Sequence, residues 1–104
     1  MDAHRRAEQR SLALHQAVAA RLIEHPEVLD RARARVAEWL DTGSVHADYA
    51  RAWAEILALS PPEIGDLLTR DDERMRALRQ ASPFAGVLDA RTRWSIWKRA
   101  GEAA

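Results

Sequence analysis

Apolar residues in this chain recur at helical spacing, and the recurrence is cut at Pro26, Gly43, Pro61 and Pro83. Steps of i, i+3, i+4 and i+7 put side chains on one face of a helix, whereas a half-buried strand needs strict alternation. No alternating run rich in Val, Ile and Thr occurs, so the pattern predicts an all-α fold. Leu14, Val18 and Leu22 form the stripe of a first helix over 5–25, widened by Leu12 and Ile23. Leu29, Ala32, Val36 and Leu40, flanked by Trp39, mark a second helix over 26–40. Val45, Tyr49, Trp53, Ile56 and Leu57 mark a third over 45–59.

The breaks carry their own chemistry. A residue before proline disfavours the helical region, while proline itself suits a first helical turn, so one helix should end near His25 and the next begin at Pro26. Gly43, within Asp41-Thr42-Gly43-Ser44, suits a helix terminator. Ser60-Pro61-Pro62-Glu63 reads as a capping box, with serine at the cap, proline at the first helical position and glutamate at the third. A short helix should follow through Ile64, Leu67 and Leu68. Asp71 or Asp72 can cap a further helix carrying Met75 and Leu78. Residues 82–86 read as a loop, Asp89 can cap a last helix over 90–100, and Gly101 to Ala104 should fray. The sum is a single compact bundle of five or six helices spanning 1–104.

A chain of 104 residues can bury one modest core. Much of its 47% hydrophobic content is alanine, which favours helix and buries little surface. The 31% of charged residues suits helices with one wet face. The 16 basic and 16 acidic residues cancel, eight of each in 1–52 and eight of each in 53–104. That balance argues against a dedicated nucleic-acid binder, which normally shows a basic excess. Lys98 is the sole lysine among the 16 basic residues; GC-rich coding accounts for such a bias, and arginine also suits interface ion pairs.

Absence of cysteine excludes disulfides, thiolate metal sites and a cysteine nucleophile. No apolar run approaches the ~20 residues of a membrane span. The opening MDAHRRAEQR precedes no export-type apolar core, so the expected residence is cytoplasmic, away from membranes. His4, His15, His25 and His46 include no i, i+4 pair on one helix and no HExxH. His15, beside the Leu14/Val18 stripe, is the exception, as a hydrogen-bonding group at an interface. Asp71-Asp72-Glu73 point in diverging directions on a helix, which suits capping and dipole neutralisation better than metal ligation. The serines lack a GxSxG elbow, and four glycines form no phosphate loop. The expectation is a chain that is neither enzyme nor metalloprotein and uses no cofactor.

Recognition remains. A helix-turn-helix over 60–80 would use 72–80 as recognition helix, offering Arg74, Arg76 and Arg79. Its opening carboxylates would meet phosphates, so DNA binding by the isolated chain should be weak. Four tryptophans stand against one Phe and one Tyr. Trp39 and Trp53 suit a core. Trp94 and Trp97, three apart beside Arg91, Arg93, Lys98 and Arg99, suit a core or a protein–protein hot spot equally. The apolar stretch 78–88 is either a corner plugged by Phe84, Val87 and Leu88 or a docking loop in which Pro83 and Gly86 present Phe84. The candidate partner surface is Arg79, Ser82, Pro83, Phe84, Val87, Trp94 and Trp97. The first helix around Arg10 and His15 is the alternative surface.

Two segments resemble a known group. Arg10-Ser11-Leu12-Ala13-Leu14-His15 with Ala17, Val18 and Leu22, and LRQASPFAGVL at 78–88 followed by Arg93-Trp94-Ser95-Ile96, resemble small helical bacterial antitoxin-like proteins of toxin–antitoxin-type gene pairs. The resemblance covers both ends of the chain and leaves the middle unmatched. It implies neutralisation of a cognate toxin by direct binding. Some such proteins carry an added DNA-binding region, and no clear one is visible here. The competing classes are a helix-turn-helix regulator and a structural protein that self-associates, for instance as a homodimer.

Overall fold

A computed structural model of the chain describes residues 2–103. Within them lie six helices and no strand: α1 Ala3–Glu24, α2 Val28–Thr42, α3 Ala47–Leu57, α4 Pro61–Leu68, α5 Glu73–Gln80 and α6 Ala90–Ala103. The expected all-α bundle is the observed architecture, at the upper of the two helix numbers.

The caps explain the boundaries. Asp2 accepts from the Arg5 N–H at 2.8 Å, Asp72 from Met75 N–H at 2.8 Å, and Asp89 from Thr92 N–H at 2.8 Å. Each satisfies a backbone donor that has no partner inside its own helix. Ser60 caps α4 as expected, accepting from the Glu63 N–H at 3.4 Å and donating to the Glu63 carboxylate at 3.0 Å. Gly43 ends α2 in the left-handed region at φ 70°, where any other L-residue is strained.

Most helix ends fall within one to three residues of the sequence expectation, and three of the differences are instructive. Helix α2 starts at Val28 rather than Pro26, because Val28, Leu29 and Asp30 donate to carbonyls three residues back and spend one turn tightening. Helix α3 starts at Ala47 rather than Val45, since the His46 ring accepts from Asp48 N–H at 3.2 Å and supplies an unforeseen cap. Helix α6 runs on through Gly101 to Ala103 instead of fraying at the glycine; Ala104 lies outside the described residues.

Helix α1 is the axis of the bundle. It packs against α4, α5 and α6, while α2 pairs with α3 and α4 touches α3 and α5. Ala19 on α1 faces Gly65 on α4, and this pair of small residues lets the two backbones approach closely. The core takes Val18 and Leu22 from α1, Leu29, Ala32 and Val36 from α2, and Trp53 and Leu57 from α3. Ile64 and Leu68 of α4, Met75 and Leu78 of α5, and Phe84 from the loop complete it. Phe84 meets Trp53 edge-on at 5.8 Å. Among the described residues, α6 contributes nothing to this core. Ile23 and Leu40, expected on the apolar stripes, are exposed. The 3.6-residue period turns each stripe, so that Leu22 rather than Ile23, and Trp39 rather than Leu40, faces inward.

The arginine surplus has a structural use. Arg33 donates to the Leu57 carbonyl at 2.9 Å, at the last residue of α3. Arg79 donates to the Leu68 and Arg70 carbonyls at 3.2 and 2.7 Å, closing the end of α4. Arg35 reaches from α2 to the Pro83 and Ala85 carbonyls at 3.3 and 3.0 Å. Cations at helix C-termini satisfy orphan carbonyls and oppose the negative end of the dipole.

Candidate functional site

Helix α1, the 82–88 loop and α6 enclose a cleft of about 560 Å³. Ala7, Ser11, Leu14 and Val18 supply one wall at steps of three and four along α1. Phe84 and Leu88 supply the second, and Arg93 and Trp97, one turn apart on α6, the third. Arg10, His15, Arg79, Gln80 and Ser82 are the other main polar lining groups, and no Asp or Glu lines the cleft.

A hydrogen-bond chain holds the inner wall. The Ser11 carbonyl can only accept, so His15 Nδ1–H donates to it at 2.7 Å. In the neutral ring that leaves Nε2 as acceptor, and the Ser82 hydroxyl donates to it at 2.8 Å. Ser82 Oγ in turn accepts from the Phe84 N–H at 3.2 Å. The ring of His15 stands edge-on to Phe84 at 6.2 Å. Burial lowers the His15 pKa below its ordinary value of 6.5; the Ser11 bond opposes this and the Arg79 charge reinforces it. Burial likewise lowers the Arg79 pKa, with Asp71 acting against it.

The outer wall is built on Trp97. The Arg10 guanidinium lies over its ring at 3.4 Å, a cation–π contact, and donates from Nε to the Trp97 carbonyl at 3.1 Å. Gly101 lies beneath the same guanidinium, where a Cβ would collide with it. Trp94 stacks on Trp97, centroids 5.1 Å apart and planes 18° apart. Trp94 is 60% exposed and Trp97 37%.

The candidate surface read from the sequence is thus divided. Phe84 and Pro83 are buried, so the loop does not present Phe84 to a partner; Phe84 plugs the core between Trp53 and His15. Arg79 is buried and turned inward onto the end of α4, not available to a partner surface. Ser82 and Val87 are half-buried, Ser82 on the cleft and Val87 against the core. Trp94 and Trp97 are the members that face outward. The alternative surface around Arg10 and His15 adjoins them across the cleft, so the two readings meet at one place. Arg35 and Gly101 were missed. A lone mid-helix arginine and a near-terminal glycine carry no local signal for contacts made so far away in sequence.

The 60–80 segment forms two helices joined at 69–72, but its arginines are committed elsewhere. Arg79 is spent on α4, and Arg76 is held by Asp71 at 2.9 Å, which leaves Arg74 exposed. Their pairing lowers the Asp71 pKa and raises that of Arg76. Among the described residues no group of three or more His, Cys, Asp or Glu gathers as metal ligands, and no helix is long and apolar enough to cross a membrane. No family model matches the chain, and no curated protein or solved structure matches it either.

Proposed function

We propose that the chain is a non-catalytic protein-binding module, antitoxin-like, that neutralises a partner protein by covering it with the outer face of α6. The observation that carries this reading is the exposed Trp94–Trp97 stack with Arg10 packed on it. Large apolar rings left in water without a core function, on a helix that also carries Arg91, Arg93 and Arg99, have the composition of a binding hot spot. The two segments that carry the resemblance to antitoxin-like proteins also border the same cleft, from opposite ends of the sequence. A net charge of zero and the committed arginines of α5 favour a protein partner over DNA.

The test is co-expression with the product of the neighbouring reading frame, scored by growth rescue and co-purification. Trp94→Ala should weaken the complex by about 2 kcal/mol or more while leaving the melting temperature unchanged, since the ring supports no core. Normal affinity in a Trp94→Ala/Trp97→Ala double variant would move the partner surface off α6.

A further inference from the structure

We propose that the cleft between α1, the 82–88 loop and α6 binds a small amphipathic carboxylate, a free molecule with one apolar body and one anionic head. Three features of the lining specify this class. Its volume, about 560 Å³, falls in the range of small-ligand sites. Its walls are mainly apolar, with Leu14, Val18, Phe84 and Leu88 offering a continuous surface for a hydrocarbon or aryl body. Its charged groups are all cationic, with no carboxylate in the lining to neutralise them.

The cations sit where an anionic head would meet them. Arg93 and Trp97 are one helical turn apart and both line the cleft, and the Arg10 guanidinium lies on the Trp97 ring. The Arg93 side chain makes no hydrogen bond or ion pair among the described residues, and the Arg10 guanidinium donates from Nε alone, to the Trp97 carbonyl. Their terminal N–H groups are free to form the paired, charge-assisted bonds that guanidinium makes to carboxylate. Deeper in, the neutral His15 and Ser82 are already satisfied by Ser11 and by each other, so the inner wall makes no demand for a second polar group. The arrangement therefore sorts ligands by charge at the rim and by apolar bulk within. Trp94 lies outside this lining, so the assignment is separable from the partner surface proposed above.

The experiment titrates the full chain with decanoate below its micelle concentration, read by calorimetry and tryptophan emission. Decanol and decyltrimethylammonium serve as the uncharged and cationic comparisons. Saturable one-to-one binding of decanoate is expected, with a change in Trp97 emission. Arg93→Gln should weaken it by about tenfold, the loss of one charged partner. Ala7→Trp, a substitution at an exposed position of α1 that fills the cleft, should abolish it with the fold intact by circular dichroism. Trp94→Ala should bind decanoate as the parent does. Equal affinity for decanol, or unaltered binding by Ala7→Trp, overturns the assignment. So does absence of decanoate binding while Ala7→Trp blocks the partner protein, which would mean that the cleft seats a protein side chain instead.

Discussion

His15 shows how much one side chain can decide. Its ring joins α1 to the 82–84 turn, with Nδ1 donating to the Ser11 carbonyl and Nε2 bonded to the Ser82 hydroxyl, and burial favours its neutral form. Protonation would place a charge in this buried position, where desolvation and the Arg79 charge both disfavour it. The folded pKa lies below the unfolded value of 6.5, so the unfolded chain binds the proton first as pH falls. Stability contributed by neutral His15 is therefore complete well above that value and declines as pH falls through it, until the folded pKa is passed. Melting curves taken through this range should show the parent losing more stability than His15→Gln; parallel curves would remove His15 as the cause. Phe84 gives a second residue-scale expectation. With its ring wedged between Trp53 and His15, Phe84→Ala should cost about 3–5 kcal/mol of folding stability, read by chemical denaturation. A loss of under about 1 kcal/mol would mean that the ring sits at the surface after all.

At the scale of elements, helix ends matter more than helix middles. At the end of α4 the Thr69 hydroxyl serves the Gly65 and Asp66 carbonyls, and the Arg79 guanidinium donates to those of Leu68 and Arg70. Arg79→Met keeps the stem and removes the donors, and should cost about 1–3 kcal/mol through those unsatisfied carbonyls. Arg91→Met, on an exposed position of α6, should be close to neutral under the same denaturant titration. This contrast also explains what was legible in the sequence. Caps act over three residues, so Ser60, Gly43 and Asp89 marked their helix ends directly, and the α5 cap was narrowed to Asp71 or Asp72, of which Asp72 is the one. Stripes act over one helix, so Val18, Leu22, Leu29 and Val36 could be assigned inward without knowing their neighbours. The fates of Phe84 and Arg79 depend on α3, α1 and the end of α4, and no local pattern distinguishes a ring that plugs from a ring that docks. The cleft was half legible: its residues had been singled out in two separate groups, but their meeting required the packing of α6 on α1.

The whole molecule is a core of five helices and a loop, with a sixth helix laid on the outside. Among the described residues helix α6 adds nothing to the buried apolar cluster, and its hydrogen bond from Arg10 to the Trp97 carbonyl spans 87 positions. Contacts that close so large a loop are entropically costly and reward the chain late, whereas the α2–α3 and α4–α5 pairs are local. The four tryptophans turn this into a measurable order of events. A chain keeping Trp53 alone should report core formation, and a chain keeping Trp97 alone should report a slower docking phase. Identical rates from both reporters would make folding a single concerted step. In native-state hydrogen exchange the α6 amides should open at a lower free energy than those of α1 and α4, as a cooperative unit of their own. Under mild denaturant the third wall of the cleft would then be lost while the Trp53–Phe84 packing still stands, and a ligand bridging Arg10 and Arg93 would act as a clasp that raises the opening energy of α6 alone.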